Sequence, residues 1–354
     1  MPRGGDRSLA RRRSAAQLLH RPAAARDPVE IARATAGIQA QDQPAARLSF
    51  RSRSRDLTAA EIDRARNEER SLLRTWVMRM TIHLIPAEDA GWMLPLFEPG
   101  IERWSRRRLG QLGMSEASLD KAHRGIAAAL GDEGPLTRSE LADRVTAVGV
   151  ELNTQTRLHV MLTAVVSGIA CLGAEDRLVR REDWLGPSPR FDDDAGIAEL
   201  ARRYLRAFGP ASDRDFAYWA GLGLGQVRAG LAAIAGELAE TDHDGERLLS
   251  LSRPRLPRPG WVRLLGAFDT YLLGYRDRGF AVSPDHAAAV KEGGGGWIRP
   301  VIVSDGVVVG GWRSSRKGGR LEVSLSLPDP RLRDAVDAEL ADIARFEAMD
   351  VVVA

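Results

Sequence analysis

Ala211-Ser212-Asp213-Arg214-Asp215-Phe216-Ala217 opens the stretch whose reading decides the fold. A capping residue followed by acidic side chains starts a helix. A glycine-rich turn follows at 221–225, a second helix is expected over 226–238, and Leu248-Leu249-Ser250-Leu251 reads as a strand. Helix, turn, helix and a β wing make a winged-helix module. The second helix of such a module commonly lies along DNA, although the module also serves as a protein scaffold.

The same plan occurs twice upstream. One copy starts at Asp27-Pro28, an N-cap followed by proline at the first helical position. It runs through Val29, Ile31, Ala32 and Ala36 to a terminating Gly37, and closes with an extended segment at 78–85. The other starts at Leu136-Thr137-Arg138-Ser139-Glu140-Leu141, where Thr137 and Glu140 have capping-box spacing. Its long helix is expected at 154–170 and its strand pair near 169–172 and 177–181. Downstream, Pro254, Pro257 and Pro259 force extended backbone and mark a boundary. Strands follow at 262–265, 299–303, 307–311 and 321–325, with Ser304-Asp305-Gly306 as a tight hairpin turn and a closing helix at 329–349. The expected fold class is α+β, mainly α, with three tandem winged-helix motifs and a C-terminal β-barrel or sheet. The segments expected are 1–115, 116–190, 191–253 and 254–354.

Composition narrows the chemistry. The chain has 354 residues, 44% hydrophobic and 28% charged, with one cysteine, Cys171, which excludes a disulfide framework or a Cys-rich metal site and fits a reducing compartment. The best apolar window, 160–172, is too short for the roughly 20 residues of a membrane span. The Arg-rich start lacks the apolar core of a secretory signal and reads as a basic first helix, so the expected location is cytoplasmic. Residues 1–80 carry 17 Arg and no Lys against 9 acidic residues, while the whole chain has only three lysines, Lys121, Lys291 and Lys317. Such clustering hints at a polyanionic partner, and Arg-for-Lys usage also follows from a GC-rich genome.

Conventional catalytic sets are missing. The six histidines, His20, His83, His123, His159, His243 and His286, form no paired metal-ligand spacing, so no metal is expected. There is no phosphate loop, dinucleotide fingerprint or nucleophile elbow, and no cofactor is expected. What remains is Gly37-Ile38-Gln39-Ala40-Gln41-Asp42. Residues i and i+2 point roughly 200° apart on a helix but to the same side of an extended segment. Past a helix end at Gly37, Gln39 and Gln41 would therefore face one space with Ala40 turned inward. The plain alternative is a pair of solvated polar residues in a turn.

That motif, Arg74-Thr75-Trp76-Val77-Met78-Arg79-Met80-Thr81-Ile82-His83-Leu84, the block from Leu264 to Arg278 containing Gly266-Ala267-Phe268-Asp269-Thr270-Tyr271, and Ile298-Arg299-Pro300 through Trp312 occur in order along the chain. Together they resemble the YcaQ/AlkZ family of bacterial DNA glycosylases over nearly the whole sequence. The resemblance implies three winged-helix motifs and a β-barrel forming a concave DNA-binding surface, excision of N7-alkylated guanine and unhooking of interstrand crosslinks. It also implies a catalytic Gln, apolar residue, then Gln or Asp. Gln39-Ala40-Gln41 matches the Gln-ending form, similar to the azinomycin-resistance branch of antibiotic-producing Streptomyces rather than the housekeeping branch ending in Asp.

Two carboxamides suit that chemistry, because an N7-alkylated guanine is already a cationic leaving group and needs little acid catalysis. Gln39 and Gln41 are expected to position the attacking water. Asp42 is a secondary candidate for stabilising the cationic sugar, with a local helix cap as its alternative. With no lysine near the motif, base release without a lyase step is expected. Alternation puts Arg79, Thr81 and His83 on one face that could line the site or serve the sheet. Arg51, Arg53 and Arg55 share a face if extended and would then meet phosphate, with a solvated loop as the alternative. The loop 283–296, with His286, Lys291 and four glycines, is a candidate probe of the minor groove, or a loop without function. Double-stranded DNA carrying the lesion is the expected partner, and no dimerisation helix is visible, so a monomer is expected. The competing readings are a winged-helix transcriptional regulator, which needs an operator and usually a dimer, and a catalytically dead scaffold.

Overall fold

The computed structural model describes residues 6–21, 26–186, 189–251, 256, 258–292 and 297–353. Contacts divide the chain into two compact units, one of residues 1–63 with 197–354 and one of residues 64–196. The first expected segment, 1–115, is thus shared between the two. The fold is mixed α and β, with a curled half-barrel sheet at the C-terminus.

In the unit of residues 64–196, the helices Ala90–Gln111, Glu116–Glu133, Arg138–Ala147 and Thr154–Val166 accompany short antiparallel strands. Leu72–Trp76 pairs with Ile82–Pro86, and Arg74 meets Leu172 of Ala170–Leu172, which pairs in turn with Leu178–Arg180. Thr137 and Glu140 form the expected capping box, and the strand pair lies where expected. The extended segment expected at 78–85 is interrupted: Met78–Met80 is a turn in which Arg79 and Met80 have φ of 52° and 58°. Alternation is lost there, and Arg79 does not share a strand face with His83. The only cysteine, Cys171, is buried on the strand Ala170–Leu172, and burial pushes its thiol up to about 12.

In the other unit, Asp27 caps Pro28–Ala34 as expected, its carboxylate accepting from Val29 N at 2.8 Å. Ser212 and Asp215 form a capping box on Asp213–Ala220, Gly221 ends that helix in the left-handed region, and Leu224–Ala233 leads to the hairpin Ala239–His243/Glu246–Ser250. Tyr204, Phe208, Phe216 and Trp219 pack as a ring cluster, Tyr204 and Phe216 stacking at 4.6 Å. The C-terminal sheet has five strands, ordered Asp350–Val353, Arg320–Ser326, Val307–Lys317, Val301–Ser304, Val262–Leu265. Among the described residues its two end strands do not pair with each other, so the expected barrel or sheet is a curled half-barrel. Asp305 and Gly306, at φ of 48° and 88°, make the expected tight turn. The helix Arg333–Glu347 is followed by Asp350–Val353, an unexpected strand parallel to Arg320–Ser326. Of the boundary prolines, Pro254 and Pro257 lie outside the described residues, as do glycines 293–296.

The expected Arg51, Arg53, Arg55 face is absent. Residues 43–53 are a helix, so Arg51 and Arg53 diverge, and neither has any solvent exposure. Arg51 bonds Glu339 and Asp342, both at 3.0 Å, and the Leu264 carbonyl at 2.7 Å. Arg53 grips Asp269 through two bonds of 2.8 and 2.9 Å and also donates to Gln17 and Thr270. Burial pushes the Asp269 carboxyl up, and Arg53 outweighs it, leaving a net shift downward. Arg55 alone is exposed, donating to the Arg21 carbonyl at 2.9 Å. Much of the N-terminal charge is thus neutralised internally. Removing one member of a buried pair leaves an uncompensated charge, so Asp269→Ala should lower unfolding stability by about 3–5 kcal/mol in urea titrations. The Arg53→Met, Asp269→Leu double variant should recover a large part of that loss.

Candidate active site

Between two helices lies a connection held at both ends. Pro28–Ala34 closes with Gly37 N bonded to the Ala32 carbonyl at 2.8 Å and Ala36 N to the Arg33 carbonyl at 3.3 Å, with Ala36 at φ 56°. This is a Schellman closure in which alanine, not the expected Gly37, occupies the left-handed position. Asp42 then caps Gln43–Arg53, its Oδ1 accepting from Ala45 N at 2.9 Å. The local-cap reading of Asp42 therefore describes its ground-state engagement.

Before the cap, Gln39 ends the short strand Ile38–Gln39 and Gln41 lies in a bend. Ala40 is fully buried, and Gln39 Nε2 donates to Gln41 Oε1 at 2.5 Å. The two carboxamides thus meet, as expected, although only Gln39 lies on a strand. Gln39 is 5% exposed and its Oε1 is buried without a hydrogen-bond partner, whereas Gln41 is exposed. An unpaired buried acceptor is costly, and the pair offers a site where a water can donate to that oxygen. Neither group titrates.

The other candidates make contacts of their own. His83 is 2% exposed on Ile82–Pro86, and its Nδ1 contacts the Thr81 carbonyl at 3.1 Å. Burial, opposed by that bond and reinforced by Arg79, lowers its pKa to about 3. His83 is therefore neutral, and it occupies the sheet. Arg79 is half-buried in the turn at 78–80. Arg74 is buried and pairs with Asp176 at 2.7 Å, a carboxylate it shares with Arg66. His286 is half-buried in the turn Pro284–His286, its Nδ1 2.9 Å from Ser283 Oγ. The side chain of Lys291 lies outside the described residues.

A basic, aromatic surface escaped the sequence reading. Trp104 is 47% exposed and Leu158 51%. Trp104 lies against His159 with ring centroids 5.0 Å apart, and Arg108 donates to Gln155 at 2.9 Å, joining Ala90–Gln111 to Thr154–Val166. Exposed Arg103, Arg107 and Arg157 on the same helices have no ion pair among the described residues. The signal was the run Arg103-Trp104-Ser105-Arg106-Arg107-Arg108. Because Ala90–Gln111 packs on Thr154–Val166, most of the latter is buried, and only its N-terminal turns are accessible.

Among the described residues no group of His, Cys, Asp or Glu is arranged to hold a metal, and no helix is long and apolar enough to cross a membrane. A carboxamide pair carrying an open acceptor is thus set between two closed helix ends. The family model for DNA glycosylase AlkZ-like proteins matches residues 32–346, and the chain belongs to that family of DNA glycosylases. It is 30% identical over 307 residues to the interstrand DNA cross-link repair glycosylase of Streptomyces sahachiroi, covering 78% of this chain and 79% of that protein. The solved structure of Streptomyces sahachiroi DNA glycosylase AlkZ matches it with a TM-score of 0.78 and 26% identity, over 98% of this chain and 99% of that one.

The position of His83 sets a pH dependence of stability. The unfolded chain protonates it below about 6.5 and the folded chain only near 3. The unfolded state thus binds the extra proton between those values, and stability present above 6.5 is lost as pH falls. Unfolding free energy measured from pH 7 to 5 should drop with a slope of up to about 1.4 kcal/mol per unit from this residue, and His83→Gln should flatten that slope.

Proposed function

We propose that this glycosylase hydrolyses the N-glycosidic bond of N7-alkylated guanine, including guanine tethered in an interstrand crosslink, with Gln39 and Gln41 holding the attacking water. The observation that carries the reading is the Gln39–Gln41 bond with Gln39 Oε1 left buried and unpartnered. Water donating to that oxygen is held with its lone pair free, and Gln41 limits its orientation. The water oxygen forms a bond to C1′ as the C1′–N9 bond breaks. Its electron pair neutralises the cationic base, which leaves as neutral N7-alkylguanine, and the water's surplus proton passes to solvent. No acid has to protonate the leaving group, which is why a site without a titrating residue suffices.

Half-buried Asp42, with its Oδ1 engaged in the helix cap, offers negative charge beside the developing oxocarbenium sugar as a secondary contribution. DNA is held through phosphate contacts, for which Arg103, Arg107 and Arg157 around Trp104 are better suited than the buried Arg51 and Arg53. A probing role for 283–296 stays a proposal built on His286 alone, since glycines 293–296 are outside the described residues. The regulator reading is not favoured, because the family is one of glycosylases. Crosslink repair by the Streptomyces sahachiroi relative supports extending the substrate to tethered guanines.

Duplex DNA with one N7-methylguanine, treated with enzyme and then alkali, should be cleaved at the lesion. Gln39→Ala and Gln41→Ala should each reduce base release by about 100-fold while DNA affinity holds. Unchanged release in both single variants and the double would remove the glutamines from the mechanism. In the same assay without alkali, strands should remain intact and borohydride should trap no enzyme–DNA adduct. A trapped adduct would show that an amine attacks C1′.

A further inference from the structure

The helix start that bears Asp42 also walls a cavity of about 500 Å3. Its lining includes Ala45 and Leu48 of the helix, Trp312, Arg313 and Leu321 of the curled sheet, and Trp297, and the paired Arg316 and Glu347 also border it. Trp312 is buried and fixed by its Nε1 donating to the Leu265 carbonyl at 2.8 Å. Trp297 is 44% exposed and packs edge-to-face on Phe268 at 4.6 Å. Arg313 is exposed and has no ion pair among the described residues. At Gly266 an added Cβ would lie 3.0 Å from the Ala45 carbonyl oxygen. Glycine there lets the sheet edge close on the helix, holding the cavity next to the residue that follows Gln41.

The volume falls in the range of about 300–1,000 Å3 typical of sites for drug-sized ligands, and exceeds what one purine fills. Two indoles, aliphatic side chains and one uncommitted guanidinium suit a flat aromatic group bearing acceptor substituents.

We propose that this cavity receives the planar aromatic portion of the adduct carried on the alkylated guanine, and so makes the enzyme selective for large aromatic adducts over small alkyl groups. The inference rests on the reading that the chain excises N7-alkylguanine. Trp297 and Trp312 supply stacking surfaces, and Arg313 meets acceptors on the adduct.

The test compares kcat/KM on duplexes carrying one N7-methylguanine or one N7-(9-anthracenylmethyl)guanine. Wild-type enzyme should prefer the anthracenyl adduct. Trp297→Ala, which removes a stacking surface, and Ala267→Phe, which fills the cavity from a lining position, should each reduce the anthracenyl-to-methyl ratio about tenfold. Trp297→Phe should restore most of it. An identical ratio in wild type and both variants would overturn the proposal. So would an equal fall on both substrates, which would assign the cavity to the guanine or to the DNA itself. Release of neither base by wild-type enzyme would overturn the glycosylase reading on alkylguanine and this inference with it, a result distinct from release without selectivity.

Discussion

Two guanidinium groups with no access to water, Arg51 and Arg53, sit on the last turn of the helix Gln43–Arg53. Burying a charge is tolerable only where carboxylates and carbonyls meet it with good geometry. Here the partners come from positions 288 and 216 residues away, Glu339 and Asp269. Burial pushes the Glu339 carboxyl up, and Arg51, Arg21 and Arg263 together pull it below the usual range, so the cluster stays fully ionised. The divergence of i and i+2 on a helix sends one arginine toward Arg333–Glu347 and the other toward the segment after Val262–Leu265. The helix is thereby clamped on two sides, and its other end carries Asp42 and the carboxamide pair. Placement of the glutamine pair and Asp42 is thereby tied to electrostatics at the opposite end of one short helix.

The site itself avoids charge. Gln39 and Gln41 hold each other, one acceptor is left open, and the nearest carboxylate is engaged in a cap. On the proposed reading such a site is weak for an ordinary nucleoside, whose leaving base must be protonated, and sufficient for a base that already carries positive charge, and selectivity against undamaged DNA would then follow from the chemistry of the leaving group.

Local signals were legible and distant ones were not. Asp27-Pro28, the Thr137/Glu140 box, the turn at Gly221, Asp305-Gly306 and most strands of the C-terminal sheet are written in neighbouring residues, and the structure has them. The side-by-side glutamines followed from strand periodicity after a helix end. The arginines at 51 and 53 misled because their acidic partners lie in the last third of the chain, and no local pattern announces a buried ion pair. The segment at 78–85 misled because its apolar alternation hid a turn at positive φ. Asp350–Val353 was missed because four residues after a helix carry too little pattern. The open edges of the sheet, and the cavity beside it, depend on strand order and on the close approach at Gly266, neither of which a one-dimensional reading exposes.

The buried cysteine has a chemical consequence for an enzyme whose proposed substrates are made by electrophiles. A thiol attacks such compounds as its thiolate, and with its pKa raised to about 12, Cys171 is almost wholly protonated at neutral pH as well as shielded. The chain has only three lysines, and its many cations are guanidiniums that react poorly, so the electrophiles that make the proposed substrates meet few thiolate or lysine amine targets on it.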